Sequence, residues 1–319
     1  MLRGMNINEA ISNLDWKREP YGLYEPIEYT LAAGGKRVRP QLAMIASQMF
    51  GGEDENVLPA ALALEVFHNF TLLHDDVMDK ADVRRGRPTV HVKWNENTAI
   101  LSGDQMVIEA YKLLSQLAAP YLPTALQLFN KMATEICEGQ QYDVDFESQD
   151  NVAIDDYLLM IRLKTAVLLA TALKMGAYIA GAKPEAQDAL YQFGIHIGLA
   201  FQIQDDILDV WGDPATFGKA IGGDISCNKK TFVTITALNM ADQASKQELQ
   251  YWFGQTLEDN TEKIAKVKAI YDRLGVYSEC EKSVKAQTDM AFTYLDTLPQ
   301  NAATEQLRQL ANKLNTRKD

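Results

Sequence analysis

Two acidic motifs of the form DDxxD lie far apart in this 319-residue chain, DDVMD at 75–79 and DDILD at 205–209. On a helix, the first and fifth residues of such a motif lie one turn apart on the same face, with side chains about 5 to 6 Å apart. Two carboxylates at this spacing can share one cation. Because carboxylate oxygens suit hard ions, and because magnesium commonly keeps substrate phosphate oxygens among its ligands, the motifs predict a magnesium-dependent diphosphate site.

Each motif follows an apolar sequence, at 70–73 and at 197–201, so each is expected at the end of a buried helix. Carboxylates grouped there would repel one another by about 4 kcal/mol per pair at 4 Å, for an effective dielectric constant of about 20. A single motif could be a solvated acidic helix end. Two copies in the same setting favour metal binding.

Basic residues are also clustered in the sequence. GGKRVRP at 34–40 places a flexible turn before Lys36, Arg37 and Arg39, which predicts a cradle for a diphosphate that no metal neutralises. RRGR at 84–87 follows the first acidic motif closely. Taken alone, this second cluster could equally be a solvated loop with surface ion pairs.

Further cations lie in the second half of the chain. Lys164 is inside an apolar segment, where an unpaired ammonium would be costly, so it needs an anionic partner. Lys219, Lys229 and Lys230 surround Gly222-Gly223-Asp224, a loop suited to closing over phosphate.

The elements that carry these residues are predicted to be helices. Apolar residues recur three and four positions apart through most of the chain, whereas strand alternation is rare. We expect about ten helices, with 160–180 and 190–211 in the interior because they are apolar nearly all round. Charged residues interrupt both segments, so neither is predicted to span a membrane. The predicted helices are separated at Gly51-Gly52, at Ala119-Pro120, from Gly181 to Pro184 and from Gly212 to Pro214.

The composition limits the classes of function. Hydrophobic residues make up 47% of the chain, and no linker interrupts it, which predicts one globular domain over 1–319. A net charge of -12 argues against nucleic acid as a partner. The first eleven residues lack the apolar stretch of a signal peptide, so we expect a cytoplasmic protein without a transmembrane segment. Cys137, Cys227 and Cys280 form no CxxC motif and are expected to be buried structural thiols.

The motifs together resemble the trans (E-type) isoprenyl diphosphate synthase family. The resemblance implies a single-domain, all-α isoprenoid synthase fold, with the helices around a deep central cavity, and usually a homodimer. It also implies a prenyltransferase that condenses isopentenyl diphosphate with an allylic diphosphate, head to tail and trans. The motifs that carry the resemblance, in the family's order, are GGKRVRP at 34–40, LLHDDVMDKADVRRGRPTVH at 72–91, GQQYD at 139–143, KT at 164–165, FQIQDDILD at 201–209 and GKAIGGD at 218–224.

The resemblance also implies the roles of individual residues. The principal ligands of three magnesium ions would be Asp75, Asp79 and Asp205, with Asp76, Asp206 and Asp209 as additional or supporting carboxylates. The allylic substrate would be contacted by Arg84, Lys164, Thr165, Gln202, Lys219 and Lys229. Isopentenyl diphosphate would be contacted by Lys36, Arg39, His68 and Arg85. The residues that would act in catalysis are Asp75, Asp76, Asp79, Arg84, Lys164, Asp205, Asp206 and Lys219.

Two features qualify this assignment. His68 alone would more often be a core histidine, and its place seven residues before Asp75 is what favours a substrate role. The loop at 218–224 departs from the family pattern, because it has one extra residue and has Gly223 where many members have Thr.

Product length is predicted from Phe70, Thr71 and Phe67, which lie one to two helical turns before Asp75. At 1.5 Å per residue, Phe70 is about 7.5 Å and Phe67 about 12 Å along the axis from Asp75, so either ring could form the floor for the growing chain. Both could also be ordinary core aromatics. An aromatic at Phe70 with a compact first motif resembles geranylgeranyl synthases, which favours a C20 product, with C15 farnesyl diphosphate as the close alternative.

Two other functions remain open at this point. A class I terpene cyclase also ionises a diphosphate with magnesium, but it needs no second diphosphate pocket, and its second metal motif usually differs from DDILD. A non-catalytic subunit of a heteromeric synthase would have the same fold. Such subunits typically lose one acidic motif, and this chain keeps both.

Overall fold

The computed structural model describes residues 7–213 and 221–315, and this part of the chain is almost entirely helical. The strands within these ranges are Val83–Arg84 and Arg87–Pro88, which pair antiparallel with Arg84 opposite Arg87. The all-α prediction is confirmed.

The described residues form two compact units. The first contains residues 7–130, 171–190 and 301–304, and the second contains residues 131–170, 191–300 and 305–315. The single domain expected over 1–319 stays a prediction. The helices with residues in both units are Leu122–Glu147, Val167–Ile179, Pro184–Trp211 and Ala302–Asn315.

The first unit is built around the helix Asp54–Met78, called here the first aspartate helix. Most of its apolar side chains are buried, and it packs against the helices Val38–Met49 and Glu96–Leu114. By length and apolar composition it is also the one described helix that could cross a membrane, but 67% of the apolar window is buried in the protein. The other helices lying wholly in this unit are Ile7–Ser12, Tyr21–Ala32 and Val90–Lys93.

A glycine allows the first aspartate helix to approach its neighbour closely. A Cβ atom at Gly103 would lie 2.2 Å from Nε2 of His74, so the imidazole occupies the space that a side chain would need. His74 then donates from Nε2 to the carbonyl oxygen of Ile100 at 3.1 Å. This contact fixes the first aspartate helix at the residue that precedes Asp75.

The second unit contains the C-terminal part of the helix Pro184–Trp211, called here the second aspartate helix, and most of the apolar side chains in that part are buried. The helix Phe232–Met240 packs against Val276–Leu295, and Gly223–Ser226 packs against Thr261–Leu274. The remaining helices wholly in this unit are Ile154–Ile161 and Gln243–Phe253.

The apolar segment predicted at 160–180 is helical but not uniformly α-helical. Arg162–Ala166 is a π-helical turn between Ile154–Ile161 and Val167–Ile179. Two glycines on neighbouring helices accommodate this turn: a Cβ at Gly139 would lie 2.4 Å from the nitrogen of Lys164, and a Cβ at Gly198 would lie 2.5 Å from Ala166. π-helical turns inside α-helices are frequent at functional sites, because they redirect side chains locally.

The prediction that the three cysteines are buried is wrong for two of them. Cys280 is buried on the helix Val276–Leu295, but Cys137 and Cys227 are exposed. Spacing in the sequence shows that cysteines form no motif, but it does not show which face of a helix turns to solvent.

Candidate active site

The first acidic motif ends the first aspartate helix. The backbone N–H of Asp79 donates to the carbonyl oxygen of Asp75 at 2.8 Å, so the two residues are one helical turn apart, as predicted. Asp75 is half-buried and Asp79 is exposed. Carboxylates with this spacing and access to solvent are suited to binding a cation jointly with phosphate oxygens.

Asp76 has a different environment from its two neighbours in the motif. It is 6% exposed, and its Oδ1 accepts a hydrogen bond from Nε of Arg84 at 2.7 Å. Burial raises the pKa of Asp76 above its ordinary range, and the charge of Arg84 opposes that shift. The contacts of Asp76 therefore lie within the protein, and its role as an additional metal ligand stays a prediction.

The hairpin at 83–88 contains the basic motif RRGR and contacts the other basic motif of the first unit, GGKRVRP. Arg85 and Gly86 both have positive φ, at 53° and 71°, which suits the tight turn between the two strands. The guanidinium of Arg85 donates to the carbonyl oxygen of Gly34. A Cβ at Gly35 would lie 2.9 Å from this guanidinium, so the glycine permits the approach.

The three cations of GGKRVRP do not share one role. Arg37 is 7% exposed, and its Nη1 lies 2.6 Å from Oε1 of Glu65, which is itself 2% exposed. Nδ2 of Asn69 also donates to Oε1 of Glu65 at 3.0 Å. Arg37 therefore neutralises a buried carboxylate instead of facing a ligand, and the expected three-cation cradle is reduced to Lys36 and Arg39. The sequence feature that could have indicated the pair of Arg37 and Glu65 is the single Glu within the apolar part of the first aspartate helix.

Three of the four residues expected to bind isopentenyl diphosphate, Arg39, His68 and Arg85, lie close enough for their charges to interact. Burial, together with the nearby charges of Arg39 and Arg85, holds the pKa of His68 well below its usual range, so its imidazole is neutral at physiological pH. Burial lowers the pKa of Arg39 to about 10, which leaves it charged. Lys36 is exposed on the adjoining loop. This concentration of positive charge suits a diphosphate.

The second acidic motif repeats the pattern of the first. Asp205 and Asp209 are half-buried, whereas Asp206 is 4% exposed. Asp206 accepts hydrogen bonds from the Tyr157 hydroxyl at 2.5 Å and from the backbone N–H of Phe232 at 2.9 Å. Burial, reinforced by the charge of Asp224, raises the pKa of Asp206 to about 7.

Lys164 and Thr165 lie on the π-helical turn of the second unit. The Nζ of Lys164 is 2.6 Å from Oδ2 of Asp143, which supplies the anionic partner that the sequence demanded. Thr165 donates to Oε1 of Gln202 at 3.3 Å, and Nε2 of Gln202 donates to Oδ1 of Asp206 at 3.4 Å. Thr165 and Gln202 are thus connected to the second acidic motif. The GQQYD motif contained Asp143, but only the structure showed its contact.

The remaining two lysines of the predicted allylic site, Lys219 and Lys229, follow the second aspartate helix in the sequence. Lys229 is exposed, and its N–H donates to the carbonyl oxygen of Asp224 at 2.9 Å. Lys219 lies outside the described residues, as do residues 218 and 220 of the same motif. Gly223, where many family members have Thr, begins the described helix Gly223–Ser226.

The acidic motifs fit magnesium in the manner expected from their chemistry. Across residues 7–213 and 221–315, no three side chains of Asp, Glu, His or Cys form a metal-binding group by themselves. Magnesium does not require such a group, since one or two carboxylates, water and substrate phosphate oxygens complete its octahedral shell. The paired Asp75 and Asp79 supply that kind of partial ligand set.

A series of aromatic rings extends from the first acidic motif into the first unit. The ring of Phe70 contacts that of His74 at 4.8 Å between centroids and that of Phe67 at 5.2 Å. Phe67 in turn contacts Phe129 at 5.2 Å, and Phe129 contacts Tyr111 at 5.1 Å. Phe70 is half-buried, whereas Phe67 is 2% exposed and Phe129 is fully buried. Thr71 is half-buried, and its hydroxyl donates to the carbonyl oxygen of His68.

A family model described as polyprenyl synthetase matches residues 20–274. The chain belongs to the polyprenyl synthetase family. As a member of this family it is a trans-prenyltransferase, as the motifs predicted. A protein of Methanosarcina mazei named geranylgeranyl diphosphate synthase is 42% identical over 237 residues, which cover 74% of this chain and 73% of that protein.

Solved structures of other polyprenyl synthetases share the fold. A crystal structure of a geranylgeranyl pyrophosphate synthase is 42% identical, with a TM-score of 0.91 over 98% of this chain and 96% of that one. A polyprenyl synthase from Caulobacter crescentus, 28% identical with a TM-score of 0.89 over 98% and 94% of the two chains, was solved in complex with calcium and isoprenyl diphosphate. The isoprenoid synthase fold predicted from the motifs is confirmed.

Proposed function

We propose that this polyprenyl synthetase condenses isopentenyl diphosphate with allylic diphosphates to form a C20 prenyl diphosphate. The observation that carries the proposal is the shared pattern of the two acidic motifs. In each, the middle aspartate is buried and bonded within the protein, whereas the first and fifth reach solvent. Basic residues lie beside both motifs, as binding of two diphosphates requires.

Three magnesium ions would be held by Asp75, Asp79 and Asp205, with Asp209 as an additional ligand, and the related complex with calcium and isoprenyl diphosphate supports a divalent metal. When bound, magnesium supplies Lewis acidity that stabilises the negative charge of a leaving diphosphate. The buried carboxylates of Asp76 and Asp206 would act through their neighbours, because Asp76 fixes Arg84 and Asp206 fixes Tyr157 and Gln202.

The basic residues divide by substrate. Arg84, Lys164 and Lys229 would bind the diphosphate of the allylic substrate and stabilise it as it departs, with Thr165, Gln202 and Lys219 completing that site. Lys36, Arg39 and Arg85 would bind the diphosphate of isopentenyl diphosphate, which stays attached throughout the reaction. His68 is neutral beside these cations and would donate or accept a hydrogen bond without adding charge.

The reaction breaks the allylic carbon–oxygen bond and forms one carbon–carbon bond. Ionisation leaves an allylic cation, which the double bond of isopentenyl diphosphate attacks, and the released pyrophosphate accepts the proton that is then lost. Apolar walls around the prenyl chain exclude water, which would otherwise trap the cation as an alcohol. The deep central cavity expected for these walls stays a prediction.

A C20 product is favoured over C15 by the compact first acidic motif, which follows the aromatic residues Phe67 and Phe70. Phe70 is half-buried next to the motif and Phe67 is buried one turn further along. The relatives named for geranylgeranyl diphosphate support the same product length. Phe70, with Thr71 beside it, would limit the growing chain first.

We also propose that the enzyme is a cytoplasmic homodimer. Leu101 and Ile108, two turns apart on the helix Glu96–Leu114, are 59% and 54% exposed, and Ile100 is 43% exposed. A row of exposed apolar side chains on one helix suits burial against a second copy of the chain.

Mass analysis of the products tests this function. The purified chain with magnesium and isopentenyl diphosphate is incubated with dimethylallyl, geranyl or farnesyl diphosphate, and all three reactions should end at C20. A chain with both Asp75→Ala and Asp205→Ala is the inactive control. Hydrocarbon formed from an allylic diphosphate alone would instead indicate a terpene cyclase, and inactivity of the pure chain would indicate a non-catalytic subunit.

A further inference from the structure

Lys263 is a buried cation that the proposed reaction does not use. It lies on the helix Thr261–Leu274 and is 1% exposed. Within the described ranges its Nζ donates to the carbonyl oxygen of Ser226, at the long distance of 3.4 Å. Burial lowers the pKa of its ammonium group. A buried ammonium with so weak a bond costs stability relative to an apolar side chain, so its presence calls for a functional explanation.

Ser226 ends the four-residue helix Gly223–Ser226, which begins against the second acidic motif. The N–H of Gly222 donates to the carbonyl oxygen of Asp209 at 2.7 Å, and the N–H of Asp224 donates to the Oδ2 of Asp209 at 3.0 Å. The N–H of Lys229 donates to the carbonyl oxygen of Asp224 at 2.9 Å. Residues 222–229, called here the 222–229 segment, therefore link a carboxylate of the second motif to a predicted allylic-site lysine.

The helix Thr261–Leu274 supports this segment at two consecutive residues. Next to Lys263, Ile264 packs so closely on Gly222 that a Cβ there would lie 2.6 Å from its Cγ2 atom. Gly222 also has a φ of 82°, so a side chain would be strained as well as obstructed. The position of the segment is thus set by the helix that carries Lys263.

The other end of the segment has a separate attachment. Asn228 adopts a φ of 54°, and its Nδ2 donates to the carbonyl oxygen of Phe253 at 3.0 Å. The segment is therefore held at Gly222 by Asp209 and Ile264, and at Asn228 by Phe253. Between these points, the ammonium group of Lys263 contacts the segment at the carbonyl oxygen of Ser226.

We propose that Lys263 is a positioning residue for the allylic diphosphate site. Its ammonium donates to the carbonyl oxygen of Ser226 at the carbonyl end of the Gly223–Ser226 helix, where the aligned backbone dipoles place partial negative charge. This contact keeps the 222–229 segment in one conformation, so that Asp209 at one end and Lys229 at the other hold a fixed spacing. The proposal rests on the proposed function for the role of Lys229, but not for the placement of the segment.

The test compares Lys263→Met, which keeps the length of the side chain but removes the charge, with Lys263→Arg, which retains it. Lys266→Met makes the same change at an exposed lysine on the same helix and is the matched control. Hydrogen exchange of the backbone amides reports the placement of the segment without any substrate. Steady-state kinetics with both substrates report the consequence for the reaction.

In Lys263→Met, amides of the 222–229 segment should exchange at least about tenfold faster, while the helices Val276–Leu295 and Asp54–Met78 keep their protection. The KM for the allylic diphosphate should rise about tenfold, and the KM for isopentenyl diphosphate should stay within about twofold. Lys263→Arg should retain most of the protection of the segment and a nearly normal KM for the allylic diphosphate. Lys266→Met should match the unaltered chain in both measurements.

Unchanged exchange of the segment in Lys263→Met would overturn the proposal, as would loss of protection throughout the second unit or failure of Lys263→Arg to restore it. If Lys263→Met does not fold, Lys263→Gln replaces it in the same measurements. Failure of the proposed function would appear differently, as absence of prenyl transfer in the unaltered chain, while the exchange result would still decide the placement of the segment.

Discussion

The carboxylate of Asp76 lies 2.7 Å from Nε of Arg84, eight residues further along the chain. Its counterpart in the second motif, Asp206, accepts a hydrogen bond from Tyr157 at 2.5 Å. In both motifs the second aspartate thus accepts a hydrogen bond from a neighbouring side chain of the protein. The aspartates at positions one and five of each motif are half-buried or exposed. The three aspartates of each motif should therefore respond differently to substitution.

Asp75→Ala or Asp205→Ala should lower kcat by several orders of magnitude and leave the helical fold intact. Each residue is a proposed metal ligand, and each loss of about 1.4 kcal/mol of transition-state stabilisation lowers the rate tenfold. Turnover with saturating magnesium and circular dichroism check this outcome. Asp150→Ala, at an exposed aspartate outside both motifs, is the control. Near-normal turnover in either variant would remove that residue from the metal site.

Arg84→Ala should lower the free energy of unfolding by about 1 to 3 kcal/mol, because it leaves the buried Asp76 carboxylate without its charged partner. Urea denaturation measures the change. In a double-mutant cycle, Arg84→Ala made in an Asp76→Asn background should cost less, since the buried charge is then absent. Equal costs in the two backgrounds would mean that the ion pair contributes nothing to stability.

Lys36→Ala and Arg39→Ala should mainly raise the KM for isopentenyl diphosphate, because that diphosphate is bound but not ionised. Arg37→Met should instead lower stability, by about 3 to 5 kcal/mol, because it leaves the buried Glu65 unpaired. Steady-state kinetics and urea denaturation of all three variants distinguish the two roles. A selective loss of affinity for the allylic substrate in Lys36→Ala would show that the two diphosphate sites have been exchanged.

Without metal, the contribution of Asp206 to the stability of the chain should fall as the pH rises from about 4 to about 7. The folded state holds the proton of Asp206 up to a pKa of about 7, whereas the unfolded state loses it near the ordinary value of 3.8. The folded state therefore binds more protons in this range, and this contribution, up to about 4 kcal/mol, is lost as the pH rises. Urea denaturation in EDTA across this range should show a flatter profile for Asp206→Asn. The same slope in both proteins would show that Asp206 titrates normally.

Phe70→Ala should shift the products beyond C20 without much loss of the first condensation, because the ring next to the first motif is removed. Phe67 and Phe129 extend the same aromatic series, so Phe67→Ala added to Phe70→Ala should lengthen the products further. Mass analysis of products from farnesyl diphosphate measures the shift. If Phe70→Ala leaves the product unchanged while Phe67→Ala alone extends it, the floor lies one turn deeper.

The sequence alone determined the helical class and the chemistry of the acidic motifs, since both depend on local spacing. The apolar period of three and four residues predicts helices, and two carboxylates four positions apart on a helix share a face wherever that helix lies. The sequence predicts that Lys164 has an anionic partner, because burying an ammonium group alone is costly. Its identity as Asp143 could not, because that residue lies on another helix.

The tertiary structure decided which charged residues face solvent and which serve the interior. Arg37 and Arg39 are two positions apart in one basic motif, yet Arg37 pairs with Glu65 on another helix. Asp76 and Asp206 are indistinguishable in the sequence from the aspartates beside them, and only the packing of the hairpin and of Tyr157 separates their roles. Burial and pairing depend on contacts between residues distant in the chain, and no local pattern encodes those contacts.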